Sequence, residues 1–200
     1  MSNSIGENVP RLQVLIYPVL QFFDFMLPSH LTSSLQIFDL VRAGAPLEFY
    51  INKSISDDII ANNHANIQQK KHYRRFVDWS LIPEKYRQVY KEPVTDQLQG
   101  NSKLIEDAKE LFHPDVSPLL AEDEELAKLP STYVLTVDHD RFRDEGFIYA
   151  ARLKANGVNV AHRHFENTFH GALAFSEGMF ELDIAHIMFD DIVKYLKENL

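Results

Sequence analysis

Apolar and polar positions divide this chain into short apolar runs, a polar middle and a strongly patterned C-terminal third. Leu12-Gln13-Val14-Leu15-Ile16-Tyr17 is apolar at nearly every position and is stopped by Pro18, the pattern of a strand buried on both faces as in parallel sheets. A loop of large apolar groups follows, with Phe22, Phe23, Phe25, Met26 and Leu27 around Asp24 and closed by Pro28. From Leu31 to about Ala43, apolar Leu35, Phe38, Leu40 and Val41 recur at helical spacing and predict an amphipathic helix ending at Gly44. Residues 52–115 are the most polar and least periodic part; they predict surface loops and short helices, one across Asp57 to Ile67, with no core of their own.

Downstream, Glu122-Asp123-Glu124-Glu125 before Leu126 predicts the first turns of a short helix, where carboxylates complement the positive end of the helix dipole. Tyr133 to Val137 reads as a buried strand, Arg143 to Asn156 as a helix closed by Gly157, and Val158 to His162 as the next strand. Ile184, Ile187, Met188, Ile192 and Leu196 then mark a final helix. Strand, helix, strand, helix means βαβ units on a parallel sheet of about three strands, so the fold class is α/β with flanking helices.

Composition narrows the function classes. The 200 residues, 45% hydrophobic and without cysteine, suit one globular domain and exclude disulfides, thiolate metal sites and cysteine nucleophiles. A net charge of −9 repels phosphate backbones, so no nucleic-acid partner is expected. The one basic cluster, Lys70, Lys71, Arg74 and Arg75, reads as a solvated helix face. His162 and His164 point to one face of a strand, but with no third ligand nearby they read as alternation rather than a zinc site. No cofactor and no metal are expected. The most apolar stretch, Val14 to Phe23, is broken by Pro18 and Gln21 and falls short of the ~18 apolar residues that span a membrane. Residues 1–10, with neither basic residues nor an apolar run, read as a disordered N-terminus rather than a signal peptide.

In open α/β sheets chemistry gathers beyond the carboxyl ends of the strands. Asp138-His139-Asp140 follows one C-terminal strand, and Phe169-His170-Gly171 follows the next. A carboxylate that orients an imidazole is two-thirds of a nucleophilic triad, and acid before histidine is the α/β-hydrolase chain order. The residues alone leave open which of Asp138 and Asp140 faces inward. Phe22, Phe23, Phe25 and Met26 suit either the lining of an acyl pocket or plain packing.

Collinear segments carry a more specific signal: Ser117-Pro118-Leu119-Leu120-Ala121, Leu129-Pro130, Tyr133-Val134-Leu135-Thr136, Asp140-Arg141-Phe142-Arg143-Asp144-Glu145-Gly146 and Phe169-His170-Gly171. Together with Leu12 to Ser29 and Phe76-Val77-Asp78-Trp79-Ser80, they resemble the C-terminal half of the arylacetamide deacetylases and neutral cholesterol ester hydrolases. These form part of the hormone-sensitive-lipase branch of α/β-hydrolases. The resemblance implies a partial α/β-hydrolase domain over residues 11–200, with a cap-like or helical insertion over residues 31–115. It implies Asp140 as triad acid, His170 as general base, and Asp144 as a second family acid whose role helix capping suffices to explain. Apolar ester or lipid substrates follow from it. So does the family's usual place at the endoplasmic reticulum membrane with a lumenal catalytic domain, which leaves this chain's own location open.

Departures from the family are equally plain. No two of Gly6, Gly44, Gly100, Gly146, Gly157, Gly171 and Gly178 frame a serine as Gly-x-Ser-x-Gly, and the His-Gly-Gly-Gly oxyanion motif is absent. Both motifs lie upstream of the first strand in the family, so the chain resembles the part of an esterase that follows its nucleophile. It is expected to be inactive alone and to self-associate through the edge of the Leu12 to Tyr17 strand. A non-catalytic acyl-binding protein or truncated isoform is the alternative. Asn167-Thr168 stands where the family often has Asp-Gly.

Overall fold

The computed structural model of the protein describes residues 10–32, 57–94 and 97–200. From position 33 onward the helix expected between Leu31 and Ala43 lies outside the described residues, as do residues 1–9 of the expected disordered terminus. The elements are β1 (Leu12–Ile16), α1 (Pro28–Leu31), α2 (Asp57–Ile60), α3 (Ile67–Arg74), α4 (Glu84–Arg87), α5 (Ser102–Asp107), α6 (Asp123–Leu126), β2 (Ser131–His139), α7 (Arg143–Ala155), β3 (Val160–Phe169) and α8 (Asp183–Asn199).

The three strands form one parallel sheet in the order β1-β2-β3. Tyr133, Val134, Leu135 and Val137 of the central strand are fully buried, because helices cover both faces. Tyr133, Leu135 and Val137 pack with Met188, Ile192 and Tyr195 of α8. On the other side, Ile148, Tyr149 and Leu153 of α7 join Phe76, Val77, Trp79, Ile82 and Phe112 from the long β1–β2 connection. That connection contributes to the main core through these aromatic and aliphatic anchors.

Gly146 fixes how closely α7 approaches the sheet. A Cβ there would fall 2.3 Å from Thr136 Cγ2, so only glycine lets the helix sit this low on β2. Past the end of α7, Gly157 adopts φ +82°, the closure expected from the sequence.

Three local expectations need correction. Among the described residues β1 pairs with β2 alone and is only half-buried, with Ile16 38% exposed, so it is not covered on both faces. The helix expected across Asp57 to Ile67 stops at Ile60: Asn62 takes φ +58°, and Asn66 and Gln69 form a reciprocal capping box that starts the separate α3 at Ile67. The basic cluster is a solvated face only at Lys71 and Arg75. Lys70 is buried with its Nζ donating to the Leu98 carbonyl at 3.0 Å, Arg74 pairs with Asp24 and Glu92, and Arg75 pairs with Glu122.

Candidate active site

The carboxyl ends of β2 and β3 bring an acid and a histidine together. Asp140, immediately after β2, is buried, and its Oδ1 accepts the Phe142 N–H at 3.0 Å. The same oxygen lies 3.0 Å from His170 Nδ1. The acid side chain is 2% exposed against 30% for the histidine, so the imidazole spans from a buried carboxylate toward solvent. His170 is held by its own N–H, which donates to the His139 carbonyl at 3.1 Å. Its ring packs against Tyr17 at 5.1 Å and edge-on to Phe142 at 6.0 Å.

Asp138 turns elsewhere. Its Oδ1 accepts from the Tyr86 hydroxyl at 2.6 Å and lies 3.1 Å from His164 Nε2, while Oδ2 accepts the Asn167 N–H at 2.8 Å. Burial alone would raise its carboxyl, but these three hydrogen bonds outweigh burial and hold it at about 2. The two acids, Asp138 at the end of β2 and Asp140 just past it, thus have separate partners, and His170 meets Asp140.

His162 Nε2 and His164 Nδ1 both contact Thr136 Oγ1 at 2.9 Å. Burial and the neighbouring His164 push His162 down to about 4, and burial lowers His164 against the pull of Asp138. These rings are neutral hydrogen-bonding groups at pH 7. Among the described residues no group of three or more histidine, aspartate or glutamate side chains is placed to hold a metal ion.

The loop after β1 is fastened by acids at the start of α7. Asp144 does not cap its helix as expected. Its carboxylate accepts the Ser29 N–H at 2.7 Å and Arg143 Nε at 2.9 Å. Fully buried Glu145 accepts the N–H groups of Leu20 at 2.6 Å and Gln21 at 3.2 Å, together with Gln21 Nε2 at 3.1 Å and His30 Nε2 at 3.2 Å. Burial raises the Glu145 carboxyl even against these donors. Phe22 and Phe25 pack with Ile59 and Leu111, and Phe23 packs in the main core.

Sequence reasoning missed Tyr17, Glu145 and His30. Tyr17 sits one residue past β1 with φ +51°, its hydroxyl 3.4 Å from Met188 Sδ; burial, with Asp140 nearby, raises the phenol to about 12. Pro18 after Tyr17 was the only available hint that the chain turns sharply there.

A three-stranded parallel sheet with helices on both faces and an acid close to a histidine at its carboxyl end fits part of an α/β-hydrolase fold. Residues 1–174 match the family described as alpha/beta hydrolase fold, and the chain belongs to it. Within that family, the chain is 36% identical over 201 residues to neutral cholesterol ester hydrolase 1 of Mus musculus, covering 97% of this chain and 48% of that protein. Arylacetamide deacetylase-like 2 of Homo sapiens is 38% identical over 196 residues, 95% of this chain and 47% of its own length. Arylacetamide deacetylase of Bos taurus is 36% identical over 201 residues, again 95% and 47%. The resemblance read from the motifs therefore stands, and the chain spans about half the length of the curated relatives it matches.

Proposed function

We propose that this chain supplies the acid and base of a serine carboxylic-ester hydrolase acting on apolar esters or arylacetamides. The observation that carries the reading is the 3.0 Å approach of His170 Nδ1 to buried Asp140 Oδ1. In this reading Asp140 fixes the imidazole with its proton on Nδ1, leaving Nε2 free to accept a proton from a serine hydroxyl. Asp140 then stabilises the resulting cation until His170 returns the proton to the leaving group. The substrate class rests on the relatives, named as an ester hydrolase and a deacetylase.

The 200 residues contain no Gly-x-Ser-x-Gly sequence, so these residues by themselves are proposed to lack turnover. The test is a chimera in which the chain replaces the matching half of mouse neutral cholesterol ester hydrolase 1. Hydrolysis of p-nitrophenyl butyrate is expected from the chimera and not from the 200-residue chain. His170→Ala should abolish it, and Asp140→Asn should lower kcat by about 10⁴ through the wrong imidazole tautomer. An active chimera indifferent to His170→Ala, or a burst of acyl-enzyme from the chain alone, would overturn the reading.

A further inference from the structure

The register between β2 and β3 changes at the site. Val137 pairs with Phe165 and His139 with Phe169, so two steps along β2 face four along β3. The surplus is a bulge at Glu166, Asn167 and Thr168, directly before Phe169 and His170. Bulges leave backbone groups without ladder partners and re-aim the residues that follow. Asn167 takes φ +57°, a region that asparagine enters more readily than other side-chain-bearing residues, so an asparagine suffices where a glycine would otherwise serve. Thr168 is not in that region and needs no glycine.

The N–H that the bulge turns out of the ladder is captured by Asp138 Oδ2 at 2.8 Å. The other oxygen of Asp138 is pinned by the Tyr86 hydroxyl at 2.6 Å, which also lies 2.7 Å from His164 Nε2. The Tyr86 ring is clamped in turn by the Arg143 guanidinium, 3.9 Å above it, whose Nη1 donates to the Asp138 carbonyl at 3.2 Å. Asp138 is therefore held on both sides while it grips the bulge. The ladder resumes two residues later with His170 N–H on His139.

We infer that Asp138 is a positioning residue for His170. It stabilises the bulge at Asn167 and so sets the angle at which the imidazole meets Asp140. The inference rests on the acid–base reading of Asp140 and His170, and in it Asp138 acts through the Asn167 N–H rather than on the reacting atoms.

The experiment is long-range ¹H–¹⁵N NMR on the full chain labelled with ¹⁵N-histidine, which distinguishes a protonated from a bare ring nitrogen. In the unmutated protein at pH 8, His170 is expected as a single tautomer with Nδ1 protonated. Asp138→Ala should replace that pattern by averaged tautomers at His170 while His64 keeps its own signals. Asp138→Asn, whose amide oxygen can still accept the Asn167 N–H, should restore the single tautomer. Should Asp138→Ala fail to fold, Asp138→Thr suits a strand and carries a hydroxyl that stops one bond short of Asn167; it should show the same averaging. A merely structural Asp138 would lower the thermal midpoint and leave the His170 tautomer intact. That result, or equal loss in the Asn and Ala variants, would overturn the inference. Absence of the Nδ1-protonated form in the unmutated protein would strike the acid–base reading itself, and is distinguishable because it needs no variant.

Discussion

The phenol ring of Tyr17 lies 5.1 Å from the imidazole of His170, the planes tilted by 40°, and Tyr17 reaches it with a left-handed backbone at φ +51°. Strained backbone on a bulky residue persists only where its surroundings over-determine it. Here the determinants are the Tyr17 N–H on the Leu135 carbonyl at 3.0 Å and the buried ring between β2 and α8. Tyr17→Ala should lose about 3 kcal/mol of stability, as large-to-small core changes do. Tyr17→Gly should be more stable than Tyr17→Ala by about 1 kcal/mol, the reverse of the usual order beside a strand, because glycine enters this region without steric penalty. Urea denaturation of the two variants decides, and alanine at or above glycine would contradict the strain argument.

Glu145 gathers four donors from the loop after β1. Glu145→Ala should destabilise by about 3–5 kcal/mol, since donors buried with it are left unpaired. Glu145→Gln should lose less, because its amide oxygen still accepts from Leu20 and Gln21. Hydrogen exchange locates the effect: the Leu20 and Gln21 amides should lose protection first. Uniform loss across the chain would show that Glu145 does not specifically fasten this loop.

Gly146→Ala tests the close contact of α7 with β2. Alanine favours the helix by about 1 kcal/mol, yet its Cβ would fall 2.3 Å from Thr136 Cγ2, so a net loss of about 1–3 kcal/mol is expected. Thr136→Ser removes that methyl. In the serine background the same substitution should be at least about 1 kcal/mol milder, a coupling that a double-mutant cycle measures.

Stability should fall as pH drops from 6.5 toward 4. Burial pushes fully buried His64 down to about 4, and burial with His164 does the same to His162. Between the ordinary 6.5 and the folded value the unfolded chain binds protons that the folded chain refuses, so folding loses ground throughout this window. Each ring accounts for about 2–3 kcal/mol by pH 4. His64→Gln should flatten the slope of denaturation free energy between pH 4 and 6.5. An unchanged slope would assign the acid sensitivity elsewhere. Asp138 acts lower: held at about 2 against an ordinary 3.8, its stabilisation is complete above 3.8 and lost as pH falls through 2.

The central strand, the two long helices and the meeting of an acid with His170 were legible from the residues, because buried β-branched runs and helical periodicity report one layer of packing at a time. Choosing Asp140 over Asp138 needed the family resemblance, since the two acids stand only two positions apart at the end of one strand. The far end of β3 was hidden because His162, Arg163, His164 and Glu166 make a partly exposed strand polar. Burial of Glu145, His30 and Lys70 was hidden for another reason. A charged side chain goes inside only when partners meet it, and those of Glu145 lie more than a hundred positions away.

The order of events in folding follows from the sheet's connectivity. Thr132 pairs with Val160 across a 28-residue separation, whereas Leu12 finds Ser131 across 119. Closing the longer loop costs about 1 kcal/mol more chain entropy, and contacts so distant in sequence form slowly. The unit from β2 through α7 to β3 is therefore expected to assemble early, bringing Asp140 to His170 while β1 is still searching for its place. On that order the ring of Tyr17 comes down on the imidazole last, after the acid and its histidine have become neighbours.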